Sequence, residues 1–86
     1  MIDPRVIACA RACGAHPQAV ITRSRDAKAV EARVAALVML REDGHTMMEC
    51  LVRIGRYTPD VYYRLMRIYN RNRAEIQRII HHARAI

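Results

Sequence analysis

The sequence predicts an all-α protein: a compact helical domain of five to six helices containing a helix-turn-helix. Three observations predict it. Apolar residues recur at three- and four-residue spacing along most of the chain, and no strand-like alternation appears. Pro and Gly stand where helices would begin or end, with Pro4 after Asp3, Pro59 after Thr58, and Gly14, Gly44 and Gly55 closing apolar runs. The 86 residues are 52% apolar, enough for one domain with a modest core and not for two.

Each element follows from local signals. Asp3-Pro4 opens a helix through about Cys13, with Ile2, Val6, Cys9 and Cys13 on its apolar side and Gly14 ending it. His16-Pro17 starts a short helix, Gln18 to about Thr22. Arg23–Lys28 is a basic loop or helix start. A long Ala-rich helix of high intrinsic propensity runs from about Ala27 to Glu42, with Val30, Val34, Leu37, Val38 and Arg41 on one side, and Asp43-Gly44 stops it. Thr46 with Glu49 has capping-box spacing, and Gly55 ends that helix in a left-handed turn. Thr58 is the next N-cap, with Pro59 first in the helix and Asp60 near the positive end of its dipole. Val61, Leu65, Ile68 and Tyr69 face inward; Tyr62, Tyr63, Arg64 and Arg67 face outward or sideways. Asn70–Arg73 is either a break between two helices or a turn of one long helix, and residues 73–86 form a helical tail with Ile76, Ile79, Ile80 and Ala83 apolar. Met39, Met47, Met48 and Met66 read as gap-filling core residues.

Residues 46–72 carry the functional signal. All four tyrosines (Tyr57, Tyr62, Tyr63, Tyr69) and Arg53, Arg56, Arg64 and Arg67 lie between positions 53 and 69. A second helix with an Arg/Tyr outer face is the outline of a recognition helix for the DNA major groove. The formal net charge is +7, and fourteen of the fifteen basic residues are Arg, which grips phosphate bidentately and reaches guanine edges. Residues 1–43 carry seven basic and five acidic groups (+2); residues 44–86 carry eight and three (+5). The excess thus clusters around the expected recognition helix, the footprint of a polyanion binder.

Arg25, Ala32-Arg33 and the apolar run ending in Arg41-Glu42 resemble the start of the C-terminal DNA-binding domain of the replication initiator DnaA. In that family a basic loop ending in Arg leads, eight residues later, to an Ala-Arg pair and an apolar helix. Thr46, Glu49 and Gly55 stand where the family has its Ser, Glu and Gly, so the resemblance spans about residues 5–69. It implies Arg25 in the minor groove, Arg33 and Arg41 near backbone or major-groove atoms, and base reading at the start of the recognition helix. The family's Arg-Asp-His-(Ser/Thr)-Thr after the turn is replaced by Arg56-Tyr57-Thr58-Pro59-Asp60, which keeps only the Arg. No GxxxxGK[ST] phosphate loop is present, so ATP-driven initiation is not expected of this chain alone.

Other constellations point to packing. Cys9 and Cys13 share a helical face, but with His16, His81 or His82 they lack the ligand spacing of zinc modules. Three cysteines argue against a disulfide framework. His81 and His82 are adjacent and diverge on a helix. Glu42 and Asp43 sit at a helix end that the dipole disfavours, where a solvated end is expected over a partner contact. No nucleophile–base motif appears, so no enzyme and no cofactor are expected. No apolar run nears 18 residues and no signal-peptide pattern opens the chain, so a cytoplasmic, nucleoid-associated protein with no membrane contact is expected.

The expected function is occupancy of duplex DNA sites in replication or transcription control. Arg25 would serve the minor groove. Arg56, Tyr57, Thr58, Tyr62, Tyr63, Arg64, Arg67 and Arg71 would serve the major groove and its flanks, and Arg33, Arg41 and Arg53 the backbone. The alternatives are a protein-interaction module, with the tail as a homodimer seam, and a structured-RNA binder.

Overall fold

In the computed structural model, which describes residues 1–56 and 58–85, six helices follow one another: α1 (Pro4–Cys13), α2 (Pro17–Ile21), α3 (Ala27–Glu42), α4 (Met47–Arg53), α5 (Pro59–Arg71) and α6 (Arg73–Arg84). The expected all-α class holds, and no strand occurs among the described residues. The capping chemistry accounts for most boundaries. Asp3 accepts from the Arg5 amide at 2.8 Å, and Gly14 closes α1 with φ +73°. The Thr46–Glu49 capping box is complete: Glu49 accepts from the Thr46 amide at 2.8 Å, and Thr46 from the Glu49 amide at 3.2 Å. Thr58 holds the N-cap position of α5, but its side chain makes no cap hydrogen bond.

The long helix α3 is the axis of the fold and contacts the other five helices. Nine consecutive residues, Ala32 to Leu40, are buried, so the expected one-sided apolar stripe is corrected to burial on every face. The reason is its composition: Ala, Val, Leu and Met surround the helix, and such a helix is enclosed. A single hydrophobic cluster draws on all six helices, including Val6 and Cys9, Val20, Leu37 and Leu40, Leu51, Leu65, Ile76 and Ile80. The tail belongs to that core. Ile76, Ile79, Ile80 and Ala83 are buried against the protein itself, so they are not the dimer seam that the sequence suggested. The chain breaks at Asn72, whose side chain donates to the Ile68 carbonyl at 3.1 Å, and this resolves residues 58–84 into two helices. Met48 is a further correction: it stands on the outer face of α4, 43% exposed.

The C-terminal end of α3 is also pinned. Asp43 accepts from Arg5 at 2.6 Å and from Arg84 at 3.0 Å, and Glu42 from Arg84 at 3.2 Å and Gln77 at 2.9 Å. The expectation of a solvated helix end is thereby corrected. The two carboxylates, unfavourable to the dipole, are neutralised by guanidiniums from α1 and α6.

Two predictions follow from this geometry. A Cβ on Gly55 would stand 2.5 Å from the Ile21 carbonyl oxygen, at φ +75°, whereas one on Gly44 (φ +96°) meets nothing within 4 Å. Both Ala variants incur a left-handed penalty of about 1–2 kcal/mol, but only Gly55→Ala adds a backbone clash. Urea midpoints should show Gly55→Ala as the more destabilised by at least about 1 kcal/mol. The second concerns acid. Hydrogen bonds from Arg84, then Arg5, hold the Asp43 carboxyl below its usual range. A depressed folded-state value gives stability that is complete above the ordinary carboxyl pKa of about 4 and lost as pH falls through the folded one. Asp43→Asn should lower the thermal midpoint at pH 7, and the gap from the parent should close toward pH 2.5.

Candidate nucleic-acid interface

The site begins with a helix too short to stand alone. α2 is five residues, and its last carbonyls have no intrahelical donors. Two arginines supply them. Arg33, on α3 and 6% exposed, donates from Nε to the Val20 carbonyl at 2.7 Å. Its Nη2 group faces the carbonyls of Ala19 (3.0 Å), Thr22 (3.0 Å) and Ser24 (3.1 Å). Arg56 approaches from the α4–α5 turn and donates to the carbonyls of Ile21 and Gly55 at 3.2 Å and to that of Thr22. The Thr22 carbonyl therefore accepts from both. Gly55, against Ile21, allows this approach, because any side chain there would push the turn away.

The result is an open cleft of about 790 Å³ between the loop that follows α2 and the face of α5. Five arginines line it: Arg23 and Arg25 from the loop, Arg33 from α3, Arg56 from the turn and Arg64 from α5. Thr58 stands at its edge, and Val30, Val61, Leu65 and Ile68 give it an aliphatic floor. Among the described residues, no carboxylate lines it. Its guanidiniums therefore oppose one another. Burial, then the charges of Arg56 and Arg64, push Arg33 down to about 10. Arg56 is lowered by burial, then by Arg23 and Arg64. Arg23, Arg25 and Arg64 are exposed, and their side chains make no hydrogen bond or ion pair with another described residue.

The residues expected from sequence divide into three groups. Arg25, Thr58 and Arg64 line the cleft with donors facing solvent, and Tyr63, Arg67 and Arg71 lie exposed along α5. Tyr62 is half-buried, packed on the core and edge-on to Tyr63 at 5.4 Å between ring centres. The second group is corrected. Arg33 is no backbone clamp for DNA, because its guanidinium is buried and bound to four carbonyls. Arg56 is half-buried and similarly bound, so it shapes the cleft more than it extends from it. Arg53 is paired with Asp3 at 3.1 Å and does not line the cleft. Arg41 donates to the His45 carbonyl at 3.0 Å. It lies fourteen residues along α3 from Ala27, about 21 Å at 1.5 Å per residue, and so belongs to the opposite end. Tyr57 is outside the described residues.

Arg23 is the one cleft arginine absent from the expected site, although the basic run Arg23–Lys28 contained the signal. Cys9 and Cys50 are buried, and burial pushes the Cys9 thiol up to about 12 and that of Cys13 to about 11, which suits packing and not thiolate chemistry. His81 and His82 are exposed, and no group of three or more metal-ligating side chains gathers among the described residues. No helix is long and apolar enough to cross a membrane. No family model, curated protein or solved structure matches the chain. What the fold and site define is an all-helical protein with a concave, acid-free arginine cleft.

The buried guanidinium makes a direct prediction. Arg33→Met removes a charged donor from four carbonyls and should cost about 2–4 kcal/mol in urea unfolding. Arg33→Lys should recover only part of it, because an ammonium lacks the planar fork.

Proposed function

We propose that this protein binds duplex DNA, with α4, the turn and α5 acting as a helix-turn-helix and the loop after α2 as a second contact beside it. The observation that carries the reading is the convergence of Arg23, Arg25 and Arg64, unpaired by any described acid, where the loop and α5 meet. A solvated basic surface would scatter its charges among acids; here five guanidiniums line one cleft and no described carboxylate lines it. α5 extends that field with Arg67 and Arg71 exposed and with Tyr63 56% exposed. The same two places are those the DnaA resemblance assigns to the minor and major grooves, Arg25 to the first and the start of α5 to the second. Occupying a site is the biochemical role this supports, in replication or transcription control. The replaced residues after Arg56 imply a target unlike that family's.

Charge and not sequence makes the first test. Duplex affinity plotted against salt should fall linearly on logarithmic axes, and Arg25→Ala and Arg64→Ala should each make the slope shallower by about 0.9. Arg78→Ala, whose side chain is paired with Glu75 on α6, should leave it unchanged. A flat parent plot, or preference for single-stranded RNA over duplex at equal ionic strength, would count against the reading.

A further inference from the structure

The cleft has two properties that a duplex contact does not require. It is concave, with guanidiniums from four separate chain segments around one space, and its floor is aliphatic. Phosphates on a duplex lie on a convex surface and are served by charges along a ridge. A cleft of about 790 Å³ falls in the size range of small-molecule sites, about 300–1,000 Å³. Arg pairs bidentately with phosphate oxygens, and several Arg side chains around one space select an anion bearing more than one charge. Val61, Leu65 and Ile68 offer the attached group a dry surface.

We propose that this cleft also binds a small, multiply charged phosphate ligand, either an inorganic polyphosphate or a nucleoside polyphosphate, in competition with DNA. Direct binding of the ligand stands without the duplex reading; the competition rests on it. Arg23, Arg25 and Arg64 supply the free donors. Arg33 and Arg56 are fixed by backbone carbonyls and contribute charge and shape. Binding relieves the mutual repulsion of the guanidiniums, which adds to burial in holding Arg33 and Arg56 below the usual guanidinium range.

The test is calorimetric titration of the whole chain with sodium tripolyphosphate and, separately, with ATP without magnesium, both at matched ionic strength. Saturable one-to-one binding is expected, weakened about tenfold or more by Arg25→Ala or Arg64→Ala and unchanged by Arg78→Ala. Tighter binding of ATP than of tripolyphosphate would assign the floor to the nucleoside. Equal binding would assign the site to the phosphates alone. No saturable binding of either probe at millimolar concentration overturns the proposal, and so does binding that the cleft variants leave intact. Duplex affinity of the same samples is measured in parallel, so that loss of one reading is seen apart from the other. Tripolyphosphate that binds without displacing DNA would retain the site and remove the competition.

Discussion

A buried guanidinium without a carboxylate partner is the constraint on which this structure depends. Arg33 lies within the hydrophobic core region of α3 and is balanced by the carbonyl oxygens that end α2. Burying a lone charge is costly unless hydrogen bonds and dipoles compensate it. The C-terminal end of a helix is a source of both. In return, a five-residue helix that could not persist alone is fixed to the axis of the fold. The loop after it is fixed as well, through the Thr22 and Ser24 carbonyls. Arg56 repeats the device from the α4–α5 turn, so loop and turn share an acceptor.

Compensation by dipoles leaves the site cationic. Four of the eight acids are paired away from the cleft: Asp3 with Arg53, Asp43 with Arg5 and Arg84, Glu42 with Arg84, and Glu75 with Arg78. Around the C-terminal end of α3 the charges are mixed and cross-linked. Toward its N-terminal end, where the cleft opens, five guanidiniums and no described carboxylate are among the lining residues. The two ends of α3 thus differ: ion pairs cross-link one, and guanidiniums without a described acid partner line the cleft at the other. The ion pairs at the C-terminal end of α3 hold the tail in place through Arg84.

Local capping was legible in the sequence, because its causes lie within four residues. Asp3-Pro4, Gly14, Thr46 with Glu49, and Gly55 each marked a boundary that the structure keeps. The burial of α3 on every face was half legible, since its alanines are compatible with either an exposed or an enclosed helix. The role of Arg33 was not. A lone Arg within an apolar helix looks like a surface contact until the carbonyls of α2 and the loop after it, nine to fourteen positions earlier, are placed over it. Arg53 and Arg56 were misplaced for the same reason. Their partners, Asp3 and the Ile21–Thr22 carbonyls, are more than thirty positions away in sequence. Arg25 and Arg64 were found because exposed, unpaired side chains are what composition and helical spacing describe best.

The most direct test of the buried guanidinium is hydrogen exchange at the arginine Nε–H groups by NMR, with Arg33→Lys used for assignment. The Arg33 Nε–H, bound to the Val20 carbonyl and shielded from water, should exchange far more slowly near neutral pH than those of Arg25 and Arg64. An Arg33 Nε–H that exchanges as fast as theirs would show a solvated guanidinium, and the cleft would lose the support that shapes it.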